Sequence, residues 1–292
     1  MRTNPGTLLI TAGETILCDG TDNRVFYMMV SVVLNIMNEE KNIADLLDSL
    51  VIQEQPMEVV VVDANSRDRT REIVQGYVDN YPFITMYIKP GTRGVSTNYG
   101  IEKAKGEILV FIGGDCIANP FWIKELRRSI MEGNGVVAGR TINIGLKSWE
   151  ELDRVELQHK GNDISFPSCN EAFLRDAVIR AGSFDPSFIT AEDIDLNLRV
   201  VDLGYNIKYN EKAIVYHRTK ATLYRFYKQA FWNGAGRKQL TLKHGRLWSS
   251  YDPLKMFKQK FNFWSASRLT VAVMGYIGFK MFGEKAGYRK SG

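Results

Sequence analysis

The sequence predicts an α/β protein: a doubly wound, mainly parallel sheet flanked by helices, followed by a basic, aromatic-rich helical region. Two observations carry this. Apolar runs rich in β-branched residues recur along the chain, as in "VSVVLNI" (30–36), "EVVVVD" (58–63) and "EILVFIGG" (107–114). Continuous runs of this kind suit strands buried on both faces, as in parallel sheets covered by helices on each side. Amphipathic stretches with short connections separate them, which is the rhythm of consecutive βαβ units.

Taken in order, "NEEKNIADLLDSLVIQ" after the first strand reads as a helix. Its Ile43, Leu46, Leu47 and Leu50 share one face, with Asn38, Glu39 and Glu40 suited to its N-terminus. "TREIVQGYV", "STNYGIEKAKG" and "FWIKELRRSIM" read as helices, and "FITMYIK" and "GVVAGRT" as strands. After residue 150 the rhythm changes. "ELDRVELQHK" reads as helix, and "SFPSCNEAFLRDAVIRAGSFD" as loop turning into helix. "EDIDLNLRVVDLG" is a helix closed by Gly204, and "NIKYNEKAIVYH" a pair of strands ending at His217. The expected organisation is an N-terminal extension (1–28), a compact α/β unit (29–220) and a C-terminal helical region (221–292). "TLLITAGETILCDG", interrupted by Gly13 and Glu14, is not expected to act as a signal peptide.

The 292 residues are 45% hydrophobic and 24% charged, an ordinary globular balance. Three dispersed cysteines (Cys18, Cys116, Cys169) argue against a disulfide framework or a zinc cluster and for a reducing, cytoplasmic setting. The net charge of +5 conceals an asymmetry: residues 221–292 hold 14 Lys and Arg against two acids, and the rest holds 24 against 31. A basic tail on an acidic body suggests two jobs in two places.

In doubly wound sheets the ligand crevice lies beyond the carboxyl ends of the strands. Residues 35–39, 63–66 and 113–115 therefore fall around one rim. Each group has a plain reading beside the functional one. Asp63, Asn65 and Ser66 supply turn and cap chemistry as readily as a nucleotide contact. Asp115 could cap the helix near Pro120, or hold a divalent cation against a phosphate with His217 as a second ligand; Gly113 and Gly114 leave room for a ligand. Thr190 and Asp193 approximate a capping box. Asp193 and Asp195, two apart on a helix, cannot do the same work; one can face the crevice while the other binds an arginine such as Arg199. Neither Gly-x-Gly-x-x-Gly nor Gly-x-x-x-x-Gly-Lys occurs. "KPGTRGVST" resembles the glycine-arginine loop of sugar nucleotidylyltransferases but follows the third strand, where Arg93 can reach a base or a phosphate.

"SVVLNIMNEEKNIADLLDSL", "VVVVDANSRDRTREIV", "TNYGIEKAKGEILVFIGGD", "CNEAFLRDAVIRAGSFD", "EDIDLNLRVVDLGYNIKY" and "VYH" stand in the order seen in family 2 glycosyltransferases of the GT-A fold, which the chain resembles over residues 29–220. The resemblance implies that Asn35, Met37 and Glu39 line a nucleotide pocket, that Asp63 binds the base with Ser66 and Arg93 nearby, and that Asp115 binds Mg2+ or Mn2+ with His217. It implies Asp193 as the base of an inverting transfer from a nucleotide-diphospho-sugar to a hydroxyl acceptor. Two positions depart from the family pattern. Gly113 replaces the first acid of Asp-x-Asp, and Asn35 replaces the usual proline after the first strand.

In the tail, "LTVAVMGYIGF" (269–279) would extend about 17 Å as a helix, short of a hydrocarbon core of about 30 Å. Basic and aromatic residues around it fit an interfacial helix on an anionic membrane surface, equally a helical cover on the catalytic unit, and less well a nucleic-acid site. The expectation is a transferase held peripherally at the inner membrane face and acting on a lipid-linked or membrane-associated acceptor, with no nucleic-acid partner. A sugar nucleotidylyltransferase and a non-catalytic nucleotide-sugar-binding protein are the alternatives.

Overall fold

The computed structural model describes residues 10–11, 14–15, 27–145, 154–219, 222–245, 247 and 263–282. Near the N-terminus β1 (Ile10–Thr11) and β2 (Glu14–Thr15) form a small antiparallel ladder. The main sheet uses β3 (Val30–Ile36), β4 (Met57–Asp63), β5 (Ile84–Ile88), β6 (Ile108–Ile112), β7 (Cys116–Ala118), β8 (Val136–Ile144), β11 (Asn170–Leu174) and β12 (Ile207–Arg218), in the order β5-β4-β3-β6-β11-β8-β12-β7. Four of its pairings are parallel: β3 with β4 and β6, β4 with β5, and β8 with β12. β11 runs against both its neighbours, and β7 against β12.

Strand alternation sends side chains to two faces, and helices cover both. On one face Val30, Val32, Leu34 and Ile36 of β3 meet Ile43, Leu46, Leu47 and Leu50 of α1 (Ile43–Val51), Val74 of α2 (Thr70–Asn80), and Trp122, Ile123 and Leu126 of α4 (Trp122–Met131). Each fully buried aliphatic side chain is worth roughly 1.5–3 kcal/mol, so the spacing that marks α1 in the sequence also fixes it to the sheet. On the other face Val33, Val62 and Phe111 pack on Ile101 of α3 (Arg93–Lys103), Val178 of α5 (Arg175–Arg180), and Leu196 and Val200 of α6 (Glu192–Asp202). A third cluster joins Phe188, Ile194, Leu198 and Val201 to Leu240 of α7 (Leu223–His244), so α7 packs on the same body. The last helix, α8 (Phe263–Phe282), packs along α7.

The elements up to residue 144 stand where the sequence puts them, with differences in detail. α1 begins at Ile43, not at Asn38, whose φ of 57° lies in the left-handed region and bends the chain ahead of the helix. Asp115 does not cap α4: β7 separates the two, and the N-cap is Phe121.

Beyond residue 150 the differences are larger. Of the helix expected over 151–160, residues 151–153 lie outside the described residues. Arg154–Leu157 is irregular, and β9 (Gln158–His159) pairs with β10 (Asn162–Asp163). Lys160 (φ 47°) and Gly161 (φ 78°) are both left-handed, the geometry of a tight hairpin turn. Residues 170–174, expected as loop and helix, are the central strand β11. The expected strand pair after residue 205 is the single strand β12, whose register with β8 shifts between Asn210 and Ile214. There the Asn170 amide donates to the Ala213 carbonyl (3.2 Å), and its oxygen accepts from Trp122 Nε1 (2.8 Å).

Candidate active site

The rim begins where β3 and β4 end side by side, Ile36 opposite Asp63. Asp63 is fully buried, and its Oδ1 accepts the backbone N–H groups of Asn65 (2.9 Å) and Ser66 (2.7 Å). The turn reading thus holds for one carboxylate oxygen. The other, Oδ2, is buried with no hydrogen-bond partner, as is Nδ2 of Asn35. Buried polar atoms are normally satisfied, so each orphan marks a place where a ligand group would be accepted.

The hydroxyl of Ser66, also fully buried, accepts the N–H of Asn38 (2.9 Å), and Thr70 Oγ1 accepts that of Glu39 (2.8 Å). In return Asn38 Oδ1 accepts from Arg67 N (2.9 Å). Two loops are thereby stitched together, with Met37 half exposed at their edge. Glu39 leads on to the next segment: a Cβ added to Gly114 would lie 2.8 Å from its Cγ. Gly114 therefore lets the Gly-Gly-Asp turn lie directly against Glu39.

Asp115 follows. Its Oδ2 is 3.5 Å from Nε2 of His217, which β12 delivers opposite Cys116. Asn143 Oδ1 lies 3.2 Å from His217 Nδ1, and this contact turns Nε2 toward Asp115. Ligand atoms of Asp115, Cys116 and His217 all lie within 4.8 Å of one another, the one such His/Cys/acid group among the described residues. Carboxylate and imidazole suit a divalent cation whose shell a diphosphate completes. The thiol fits less well. Cys116 is fully buried and its thiol donates to Asp115 Oδ1 (3.9 Å); the neighbouring Cys169, then burial, push its pKa far up. Gly113 is tightly enclosed: an added Cβ would sit 3.0 Å from Asp115 Oδ1 and 3.3 Å from Cys116 Sγ. A second acid at that position would press on the first.

Across the rim stands the first turn of α6. Its N-cap is Ala191, left-handed at φ 67° and without a side-chain cap, so Thr190 forms no capping box. Asp193 Oδ2 accepts the N–H of Ser168 (3.2 Å), and Oδ1 that of Ile194 (2.8 Å). Glu192 is buried against Arg93 (3.2 Å). Burial, then the neighbouring Asp193, raise the Glu192 pKa against the pull of Arg93. Arg93 keeps two-thirds of its side-chain surface open, and Glu192 foremost, then Asp193 and Asp115, hold it charged. One guanidinium thus feels the acids of both sides.

Asp195 does different work, as the helical spacing requires. It is fully buried and bonded to Arg199 (2.7 Å), Lys243 (2.8 Å) and His244 (2.6 Å). Burial alone would raise its pKa; His244, Arg199 and Lys243 outweigh that and hold it at about 2.

Two residues of this side escape sequence reading. Glu171 on β11 is fully buried, with Oε1 accepting from Asn197 (2.9 Å) and Oε2 unpartnered. Burial first, then Asp193, raise its pKa well above the usual carboxylate range. Cys169 borders the site closely enough to feel His217, Asp115 and Asp193. Recognising β11 as a strand would have found both, because its first residues pair with Ile112 and Phe111 beside the Gly-Gly-Asp turn. Of the residues marked in the sequence, Asp115, His217, Arg93 and Asp193 gather in one electrostatic neighbourhood. Asp63 is joined to it through Ser66, Asn38 and Glu39, and through Ile36 beside Gly114.

The chain is 27% identical over 202 residues to glycosyltransferase AglE of Haloferax volcanii, covering 64% of this chain and 66% of that protein. It thus spans a little under two thirds of that relative's length. It is 24% identical over 232 residues to a dolichyl N-acetyl-alpha-D-glucosaminyl phosphate 3-beta-D-2,3-diacetamido-2,3-dideoxy-beta-D-glucuronosyltransferase of Methanococcus voltae, covering 71% of this chain and 72% of that protein. In fold it matches mannosyltransferase PcManGT of Pyrobaculum calidifontis, solved with GDP-Man and Mn2+, with a TM-score of 0.63 and 17% identity over 91% of this chain and 82% of that one. At that identity the likeness speaks for the fold, and it bears out the expected GT-A architecture. A family model described as "Glycosyl transferase family 2" matches residues 31–179, about half of the sequence and every strand from β3 to β11. The chain belongs to glycosyl transferase family 2.

Proposed function

We propose that the protein is an inverting, metal-dependent glycosyltransferase that moves a sugar from a nucleotide-diphospho-sugar to a hydroxyl of a lipid-linked or membrane-associated acceptor. The observation that carries this reading is the convergence of Arg93, the Asp115–His217 pair and Asp193. Cationic charge stands where a diphosphate would leave, and a carboxylate stands where a hydroxyl would lose its proton.

On the donor side, the unpartnered Asp63 Oδ2 would accept an N–H of the base and Asn35 Nδ2 would donate to an acceptor on the nucleotide. Met37 and Glu39 would line the pocket, and Ser66 would hold its wall by fixing Asn38. Arg93 would swing from Glu192 to the diphosphate, the kind of anion its planar fork suits. Asp115 and His217 would hold Mg2+ or Mn2+, which when bound neutralises charge on the leaving diphosphate. PcManGT binds GDP-Man and Mn2+, which supports this donor class and cofactor.

On the acceptor side, Asp193, oriented by the Ser168 and Ile194 N–H groups, would take the hydroxyl proton as general base. The acceptor oxygen would form its bond to the anomeric carbon as the bond to the diphosphate oxygen breaks on the opposite face, so configuration inverts. The dolichyl-phosphate-linked substrate in the name of the M. voltae relative supports a lipid-linked acceptor. Among the described residues no helix is long and apolar enough to cross a membrane. The dispersed cysteines and the basic tail support a peripheral place on the cytoplasmic face.

The test is turnover of a panel of nucleotide-diphospho-sugars with Mn2+ and a polyprenyl-phosphate-linked sugar, with the anomeric configuration of the product read by NMR. Inverted configuration and loss of turnover with a chelator are expected. A retained configuration, or full turnover without metal, would overturn the mechanism.

A further inference from the structure

We propose that the outer face of α8, with the aromatic ends of α7 and α8, docks on an anionic lipid bilayer and lies along its surface. The two helices run side by side in the same direction, because contact partners advance together along both. Phe226 meets Trp264 (ring centroids 6.2 Å), Tyr227 Oη donates to Ser267 Oγ (3.1 Å), and the Lys238 ammonium stands over Tyr276 (5.3 Å). At the crossing the backbones touch. A Cβ on Gly234 would lie 1.7 Å from the Ala272 carbonyl oxygen, and one on Gly275 would lie 1.9 Å from that of Phe231. The inner face of α8 is therefore fully engaged with α7.

The outer face is apolar and open. Leu269, Val273, Ile277 and Met281 follow one another at four-residue spacing with Met274 beside them, and all five are at least 40% exposed. A stripe of this kind on a helix already packed on its other side marks an interaction surface. At the N-terminal ends Tyr224 and Phe263, each more than 70% exposed, stand beside the Phe226–Trp264 contact. Arg225 is exposed there too, and Lys228 lies over the Tyr224 ring (5.9 Å). Aromatic rings and long basic side chains are the residues that settle at headgroup level.

Charge selects the occupant. Residues 221–292 carry 14 Lys and Arg against two acids, while the rest of the chain is net acidic. A second copy would bring like charge against like charge. An anionic leaflet attracts the tail and repels the body, which also sets the orientation. The opposite side of α7 grips the chain leading into Asp193. Gln239 bonds Ile189 N (3.0 Å) and Ser187 O (3.2 Å), Gly236 packs on Thr190, and Lys243 and His244 bind Asp195. One helix layer, about 8–10 Å between axes, therefore separates the docking face from the helix that presents the proposed base. The benefit of this placement rests on the proposed membrane-associated acceptor; the binding itself does not.

The experiment is co-sedimentation of the full chain with vesicles of equal parts phosphatidylglycerol and phosphatidylcholine, and with phosphatidylcholine alone. Binding to the first and little to the second is expected. Val273→Glu with Ile277→Glu should lower the partition coefficient at least about tenfold, with turnover of a water-soluble acceptor unchanged; Met274→Glu alone serves if the double variant fails to fold. Unaltered vesicle binding by these variants would overturn the proposal. So would a dimer in vesicle-free solution that the variants dissolve, because the face would then belong to a second copy. Vesicle binding without transfer to a polyprenyl-linked acceptor would sink the acceptor assignment and leave the docking face standing.

Discussion

On the β3–β4 side of the rim, side chains are fixed by the backbone of neighbouring loops, whereas on the β11–α6 side they are fixed by buried charge. Ser66, Thr70 and Asn38 hold the first side through neutral hydrogen bonds to main-chain N–H groups. Glu171, Glu192, Asp193 and Asp195 crowd the second; burial raises the pKa of Glu171 and Glu192, whereas three basic partners lower that of Asp195. A donor pocket assembled the first way responds little to pH. A site for proton removal assembled the second way can set neighbouring carboxylates apart from one another. Asp193 and Asp195 show how local that control is: two residues apart, one faces the rim and the other is clamped by three basic groups.

The largest expected effect divides these two acids. Asp193→Asn should lower turnover about a thousandfold, the scale of general-base loss, with donor affinity and melting temperature nearly unchanged. Turnover that survives the change would end Asp193's role as base. Asp195→Asn should act on folding instead, at about 3 kcal/mol in urea titrations at pH 7, because it leaves buried cations without their partner. The pH dependence has a definite sign. The folded pKa of Asp195, about 2, lies below its ordinary 3.8. Its contribution, about 2 kcal/mol by linkage, is fully present above pH about 4 and is lost as pH falls through about 2. The variant should lack that acid limb; identical limbs in the two proteins would remove Asp195 from the clamp.

Next in size is the cation. His217→Ala should weaken Mn2+ binding about tenfold to a hundredfold, measured by paramagnetic resonance of the free ion, and Asn143→Ala should weaken it less because it only orients the ring. Equal affinity in all three proteins would transfer the ion elsewhere. The smallest effect sharpens the electrostatic half. With its pKa raised on folding, Glu171 holds a proton that the unfolded chain gives up, so its stability penalty grows as pH rises above its ordinary 4.5. Glu171→Gln should therefore melt slightly higher than the parent at pH 7 and converge with it near pH 4. A lower melting point at pH 7 would mean that the carboxylate is ionised and paired.

The comparison also separates what a sequence states locally from what only tertiary contact creates. β3, β4 and β6 announce themselves because a strand buried on both faces must be apolar throughout. β11 does not, since its Asn170 and Glu171 are polar residues buried for particular partners: the Trp122 indole, the Ala213 carbonyl and the Asn197 amide. β12 reads as two strands because its ladder with β8 shifts register midway. Within the candidate site, motif order in the sequence marks Asp115, His217, Arg93 and Asp193, and the structure brings them near one another. The dependence of Glu39 on Gly114, the hold of Ser66 on Asn38 and the raised pKa of buried Glu171 are not legible there, because each joins residues far apart in the chain.

The reversed direction of β11 has a consequence for how such a scaffold diversifies. Asn170 at its start lies opposite Ile112 at the end of β6, and β8 runs past it toward the same edge. The chain thus leaves β8 and enters β11 on the side of the candidate site. Loop closure grows only slowly more costly with length, so insertions there need not move either strand, provided that Leu157 and Ile164 stay in the core and Ser168 keeps its hold on Asp193. Under the proposed function, new acceptors would be sampled there while the donor side of the rim stays constant.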